Sequence, residues 1–456
     1  LDKSNIILCL TDQWRAFEAG CYGNKQIQTP HLDALAREGV QFEYGISNDP
    51  VCTPARSVVL SGQHYRTCSP IRTNTTEQWP AAERGQWFPE RTVAECFRDS
   101  GYHTTLIGKW HVGPRPSLCG FNTAVYPNMI HRHYGQEYVI DEEDPFVVEE
   151  FAPDFEKRQL EQFLGREHEK PFFLYYNISQ PHMPIGKGNL PGRFRGIYSA
   201  EEMPLRPNVF DQDGKMAHDE EWFWIYLHHD YWYRKMVIKE KPRKDDRLPP
   251  GYDLKDLYRD YYEMVTCADD QLGSLIRLLK ENHLENDTIL VFASDHGDNL
   301  GSHHYFNKGK FIEESIRVPF IFYAPRRLKA HHNTTHLAQL VDIMPTLLDF
   351  AEIPIPQKVQ GRSMRPVLEQ SVSALEDNFA FIETPAGDVG LRSRSHLLGM
   401  HLELNTGRLM ESEMEFYDME QDPFQMHNLA ADGLHGGEAQ VMKDRLALLH
   451  NEIQVL

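Results

Sequence analysis

The run Asn5-Ile6-Ile7-Leu8-Cys9-Leu10 is unbroken in apolarity after its first residue and ends in Thr11-Asp12-Gln13. Continuous apolarity over strand length marks a strand covered on both faces, as in the centre of a parallel sheet. A carboxylate at the C-terminal end of such a strand is costly unless it is paired or holds a metal. Open α/β sheets collect their ligands at that edge. The arrangement recurs in Thr288-Ile289-Leu290-Val291-Phe292-Ala293-Ser294, which ends in Asp295-His296-Gly297-Asp298. Pro171-Phe172-Phe173-Leu174-Tyr175-Tyr176-Asn177-Ile178 is a further buried strand and runs into Gln180-Pro181-His182-Met183-Pro184. A histidine between two prolines is held by turn geometry, not by regular structure. Tyr102-His103-Thr104-Thr105-Leu106-Ile107 leads into Gly108-Lys109-Trp110-His111-Val112-Gly113, a glycine-bounded turn with titratable side chains at a strand end. A lone lysine there is more often simply solvated.

Between the strands lie helices. Thr29 to Gly39 has Thr29 as N-cap, Pro30 in the first turn, an apolar face of Leu32, Leu35 and Ala36, and Gly39 as stop. Ala55 to Leu60 reads as a helix stopped by Gly62, with Pro54 in its first turn and Cys52 just before its N-terminus. Free N–H groups at that end favour an anion or a thiolate, and Arg56 points back toward it one turn later. On this spacing alone a small buried cysteine on a core helix is the blander alternative. Helices are also expected at Thr92–Phe97, Phe155–Leu164, Leu254 to about Asn282, and Asp342–Phe350, and a strand at Val318–Tyr323. Residues 115–150 give no clear pattern. The expectation is an α/β fold: a large, mostly parallel central sheet flanked by helices over residues 1–370, and a smaller C-terminal α+β domain with an antiparallel sheet over 371–456. Residues 185–252 read as an insertion. Its Trp222-Phe223-Trp224-Ile225-Tyr226 and Tyr231-Trp232-Tyr233 either stack on a sugar or pack a helix onto the body.

The 456 residues carry a formal net charge of −20, which argues against nonspecific nucleic-acid or anionic-membrane binding. Seven cysteines without paired CxxC spacing make neither a disulfide scaffold nor a zinc pattern, and they leave the redox compartment open. No apolar run reaches membrane-spanning length. The chain starts at Leu1 without methionine, so removal of an N-terminal segment is expected.

Asp12 and Asp295 thus end two buried strands, with Gln13 and His296 beside them. Carboxylate and amide oxygens suit calcium or magnesium, and a histidine nitrogen is the least natural of the four donors for calcium. At this point the chain resembles the sulfatases of the alkaline-phosphatase-like superfamily. Cys52-Thr53-Pro54-Ala55-Arg56 is similar to their Cys-x-Pro-x-Arg signature, and Gly101 to His111 to their second signature. Pro181-His182, Ser294-Asp295-His296-Gly297, Lys308 and Asp422-Pro423…Asn428-Leu429 follow in the family's order, so the likeness spans about Asn5 to Leu429.

The resemblance implies a sulfuric ester hydrolase acting on a sulfated carbohydrate. It implies that Cys52 is converted to formylglycine by a formylglycine-generating or anaerobic sulfatase-maturing enzyme. One hydroxyl of the aldehyde hydrate would attack sulfur, and the other would let the hydrate return to aldehyde and release sulfate. Asp12, Gln13, Cys52, Asp295 and His296 would surround Ca2+, or else Mg2+ or Mn2+. Arg56, Lys109 and Lys308 would neutralise sulfuryl oxygens, and Arg56 would also hold the hydrate. His111 would take a proton from the hydrate, His182 with Lys308 would protonate the leaving alcohol, and Asn74 would contact sulfate. A periplasmic or secreted location, or else a cytoplasmic one, fits the same reading. Many relatives carry two adjacent aspartates where this chain has Asp12-Gln13. Relatives that cleave phosphonate monoesters and phosphodiesters share the Asp-Gln and Asp-His pairs but lack the Gly-Lys-Trp-His turn. A phosphonate or phosphodiester hydrolase, and a catalytically silent glycan-sulfate-binding relative, are the alternatives.

Overall fold

The computed structural model describes residues 3–71, 87–128, 132–186, 188–228, 248–403, 406–431 and 436–453. Its strands are β1 (Asn5–Asp12), β2 (Val40–Ile46), β3 (His103–Gly108), β4 (Thr123–Pro127), β5 (Gln136–Ile140), β6 (Phe146–Val148), β7 (Phe172–Pro181), β8 (Thr288–Ser294), β9 (Arg317–Val318), β10 (Phe320–Tyr323) and β11 (His331–Gln339). These eleven make one sheet in the order β11-β2-β10-β8-β1-β7-β3-β4-β5-β6, with β9 paired to β2. The central strands β8, β1, β7 and β3 run parallel, so their C-terminal ends share one rim. Successive residues of β1 enter opposite cores. Ile7 and Cys9 pack beneath the Pro30–Glu38, Ala152–Leu164 and Leu254–Glu281 helices. Ile6, Leu8 and Leu10 pack beneath the Cys52–Ser61, Val93–Asp99 and Ile343–Phe350 helices. Two covered faces are the reason the strand is apolar at every position.

A second, antiparallel sheet follows: β12 (Ala380–Glu383), β13 (Asp388–Arg392), β14 (His396–Glu403) and β15 (Arg408–Asp418). Ala439, Met442 and Leu446 of the Gly437–Glu452 helix cover one face. The other face receives Phe311, whose ring lies where a Cβ at Gly390 would sit 2.1 Å from it. Phe311 also packs with Ile46 of β2 and Leu337 of β11, so the small sheet braces the loop after β8 against the large one.

Several local expectations are corrected, and two open stretches are resolved. Residues 115–150 hold β4, β5 and β6, short strands of three to five residues at the sheet's edge. The strand expected over Val318–Tyr323 is split at Pro319, which has no N–H for a ladder. The Asp342–Phe350 helix begins instead with a 3-10 turn at Leu340–Asp342. Thr29 does not cap its helix, because its hydroxyl accepts from the Gly20 N–H at 2.8 Å. The Asp269 carboxylate accepts instead from the His31 and Leu32 N–H groups, at 3.1 and 2.7 Å. The aromatic run of the insertion forms the Glu220–Leu227 helix, with Phe223, Ile225, Tyr226 and Leu227 buried. Tyr231-Trp232-Tyr233 lies outside the described residues, as does Asn74. Among the described residues no helix is long and apolar enough to cross a membrane.

Candidate active site

Four strand ends deliver the site. Asp12 closes β1, Asp295 and His296 follow β8, His182 follows β7, and Lys109 and His111 follow β3. Gly108 makes the last turn possible. Its φ is +91°, and a Cβ there would meet the Asn177 carbonyl oxygen at 2.0 Å. Cys52 is the first residue of its helix, two residues earlier than the Pro54 signal suggests, and Val51 is the N-cap. The helix stops at Gly62, whose φ of 62° is left-handed and whose N–H donates to the Val58 carbonyl.

The Cys52 sulfur is fully buried. It lies 2.7 Å from Lys308 Nζ, 3.2 Å from His296 Nε2 and 3.7 Å from Asp12 Oδ1. His111 and His182 also interact with it. Burial pushes the thiol up, but Lys109, Lys308 and His296 together hold it well below its usual range. Arg56 reaches back along the helix. Its Nη2 lies 3.3 Å from Asp12 Oδ2 and 2.9 Å from Asp295 Oδ2, and its Nη1 donates to Asn177 Oδ1 at 2.8 Å. Lys109 Nζ pairs with Asp12 Oδ2 as well. Burial and the Cys52 sulfur raise the Asp12 carboxyl, yet Lys109, His182 and Arg56 outweigh them and hold it below the carboxylate range. Asp295 moves the other way, raised by burial and by Asp12. Burial and Lys109 push His111 down to about 4, and burial and Lys308 do the same to His182. Both imidazoles are therefore neutral near neutral pH.

The donor set fits a hard divalent cation. One ligand atom each from Asp12, Cys52, Asp295 and His296 lies within 4.8 Å of the others. Asp295 Oδ2 is buried and accepts no hydrogen bond among the described residues. His296 Nδ1 is tied to the Gly297 carbonyl at 2.8 Å, so Nε2 is the ring atom turned toward the cluster and the one that would meet a cation. Gln13, with φ of 67°, turns its Oε1 to within 3.2 Å of Lys308 Nζ. Oxygen donors with one imidazole suit calcium, magnesium or manganese.

The structure thus gathers Asp12, Gln13, Cys52, Arg56, Lys109, His111, His182, Asp295, His296 and Lys308 at one rim. It adds residues that the sequence did not assign to the site: Asn177 under Arg56, and Asp298, Asn307 and Tyr226 around Gln13. Asn177 and Asp298 carried a signal, since each is a polar residue at or beside the end of a buried strand. A nucleophile at a helix N-terminus, beside paired carboxylates and a cationic wall, can hold a tetrahedral oxyanion and transfer a group at it.

A family model described as Sulfatase matches residues 4–353, and one described as N-sulphoglucosamine sulphohydrolase, C-terminal, matches residues 301–452. The chain belongs to the sulfatase family and is a hydrolase of sulfate esters. It is 31% identical over 468 residues to an arylsulfatase of Clostridium perfringens, covering 94% of this chain and 90% of that protein. It is 28% identical over 486 residues to an N-acetylglucosamine-6-O-sulfatase of Bacteroides thetaiotaomicron, covering 94% and 82%. A solved structure of a protein in complex with its substrate D-glucosamine-2-N,6-O-disulfate has the same fold, with TM-score 0.79, 23% identity, and coverage of 99% of this chain and 98% of that one.

Proposed function

We propose that this sulfatase removes sulfate from a sulfated carbohydrate, with Cys52 acting after conversion to formylglycine and a divalent cation held by Asp12, Gln13, Asp295 and His296. The single observation that carries this reading is the ring of Arg56, Lys109, Lys308, His111 and His182 around the Cys52 sulfur. That sulfur stands in for the hydroxyl oxygens of the aldehyde hydrate. When present, the hydrate supplies an oxygen nucleophile together with a second hydroxyl through which the residue returns to aldehyde. When bound, the cation supplies Lewis-acid polarisation of the sulfate oxygens and favours the ionised nucleophile.

The chain's own groups do the rest. Lys308 sits 2.7 Å from the nucleophile position, close enough to pair with a sulfuryl oxygen as charge moves onto it. Lys109, held on Asp12, is a second cation acting on the same position. His111, neutral near pH 7, is an acceptor for the proton the second hydroxyl gives up. His182 donates Nδ1–H to the Met183 carbonyl at 2.6 Å, so Nε2 is the atom that gains and loses a proton beside the leaving alcohol. The negative charge of a bound sulfate favours its protonated form.

The carbohydrate class draws support from the relative named as an N-acetylglucosamine-6-O-sulfatase. Extracellular or periplasmic action, and dependence on a maturing enzyme, belong to the same proposal. The test uses protein whose Cys52 peptide mass confirms the aldehyde. Sulfate release is measured from defined sulfated saccharides, starting with N-acetylglucosamine-6-sulfate, and from 4-nitrophenyl sulfate, against a phenylphosphonate ester. Turnover of sulfated sugars is the expected result. Turnover of the phosphonate ester alone, or saccharide binding without sulfate release, would overturn it.

A further inference from the structure

We infer that Asp298 and Tyr226 are positioning residues that decide which end of the Gln13 amide faces the cation site. The inference rests on the reading of Gln13 as a metal ligand. An amide has two tips of similar shape, and only the oxygen binds a cation. A carboxylate at this position would need no such selection, whereas a glutamine does.

The backbone of Gln13 is already fixed. Its N–H donates to Asp295 Oδ1 at 3.1 Å, and its carbonyl accepts from the Tyr261 hydroxyl at 2.6 Å. The side chain is fixed separately. Nε2 donates to Asp298 Oδ2 at 2.5 Å and to Asn307 Oδ1 at 3.2 Å, which uses both amide hydrogens. Oε1 is left toward Lys308 Nζ at 3.2 Å, on the Cys52 side. A flipped amide would set its oxygen against two acceptors and its NH2 against an ammonium, so it would lose all three contacts. A hydrogen bond to a carboxylate also polarises the amide and strengthens the oxygen as a donor to a cation.

Asp298 is held in turn. Its Oδ1 accepts from the Tyr226 hydroxyl at 2.5 Å and from the Leu300 N–H at 2.9 Å. The Tyr226 oxygen accepts from the Asn307 N–H at 2.7 Å, so one phenol fixes both acceptors of Nε2. Tyr226 and Asp298 are each 1% exposed. Tyr226 belongs to the Glu220–Leu227 helix, inside the 185–252 insertion. A segment with the sequence character of an add-on therefore contributes directly to how the ligand shell is set.

The test is calorimetric titration of Ca2+ into metal-free full-length protein in one maturation state. The variants are Gln13→Ala, Asp298→Ala, Tyr226→Phe and the double variant Gln13→Ala/Asp298→Ala. Tyr226→Phe removes one oxygen and carries the test if Asp298→Ala fails to fold. Outer-shell partners of metal ligands are worth about 10–100-fold in affinity. Asp298→Ala and Tyr226→Phe are expected to weaken Ca2+ binding by about that factor, and Asp298→Ala to add nothing once Gln13 is gone. If Gln13→Ala leaves Ca2+ affinity unchanged, Gln13 is not a ligand and the reading beneath fails. If Gln13→Ala weakens binding while Asp298→Ala and Tyr226→Phe do not, the positioning role alone is overturned. An Asp298→Ala effect of equal size in the Gln13→Ala background overturns it too, because it would report general support of the loop.

Discussion

Replacing Arg56 by methionine removes the one guanidinium shared by Asp12 and Asp295 and keeps most of its volume. Arg56 and both carboxylates are fully buried, and the separations are 3.3 and 2.9 Å. Removing one partner of a buried ion pair leaves an uncompensated charge and costs about 3–5 kcal/mol. Lys109 still pairs with Asp12, so the exposed liability is chiefly Asp295, whose Oδ2 accepts no hydrogen bond among the described residues. At about 2.1 cal/mol/K per residue, the 456 residues have an unfolding entropy of about 1 kcal/mol/K, so the midpoint should fall by about 3–5 °C. The assay is thermal unfolding of metal-free protein near neutral pH, with Arg56→Lys as the variant that keeps the charge and loses the fork. Ca2+ at about a hundred times the unchanged protein's dissociation constant stabilises that protein by about 2.7 kcal/mol, and at the same concentration the increment should be larger in Arg56→Met, where Asp295 has lost its cationic partner. A metal-free Arg56→Met that melts within about 1 °C of the unchanged protein would refute the reasoning, as would a Ca2+ increment no larger than that of the unchanged protein.

Cys52→Ala should abolish sulfate release while the far-UV spectrum is unchanged, and Lys109→Ala or Lys308→Ala should each lower kcat by about 10²–10³; sulfate release from one sulfated sugar checks all three. Outside the site, burial pushes His133 and His336 down to about 4 and His64 to about 3. The unfolded chain takes up these protons near pH 6.5 and the native chain does not, so stability is lost as pH falls from about 6.5 toward 4, by about 1.4 kcal/mol per unit for each. Denaturant unfolding across that range reads the slope, and His336→Gln should flatten it by one histidine's share. Gln13→Glu sets a carboxylate oxygen where Nε2 now meets Asp298 Oδ2. The pair then holds a proton above the unfolded value, so metal-free Gln13→Glu should lose stability as pH rises above the ordinary carboxylate range, opposite in sign to the histidine effect.

The central sheet was legible because its strands are buried on both faces. β1, β7 and β8 are apolar without alternation, and the breaks in that apolarity, at Asp12 and Asp295, mark the site. The Lys109–His111 turn was legible through its glycines, one of which the Asn177 carbonyl leaves no room to replace. The edge strands β4–β6 were not, since a strand of three to five residues offers too few positions for a period to emerge. The cap of the Pro30–Glu38 helix was misread for a different reason: a local threonine satisfies the rule, while the acceptor used is Asp269, more than two hundred residues away. Tyr226 shows the same limit. Its helix reads as aromatic packing, and nothing nearby in sequence marks its hydroxyl as the partner of Asp298.

The charges of the site also explain one another. Lys109, Asp12, Arg56 and Asp295 form a continuous buried alternation of sign, and each of these side chains is at most 2% exposed. A buried charge without an opposite neighbour is penalised by several kcal/mol, so this chain of pairs is what permits four ionised groups beside one buried sulfur. Lys308 stands apart from the alternation. It is half-buried, it comes from the loop after β8, and its nearest polar contacts are the Cys52 sulfur and the Gln13 amide oxygen. Among the described residues it makes no ion pair with a carboxylate, so on the proposed function a sulfate group would bring its counter-charge, inside a protein of net charge −20. Distant repulsion and local attraction act on the same anionic substrate. Salt screens the first more than the second, because the charges around Cys52 lie well within a Debye length of about 10 Å at 0.1 M. On the proposed function, selectivity for the sulfate group would be set at contact distance, by Lys308 and the groups beneath it, rather than by the long-range field of the whole molecule.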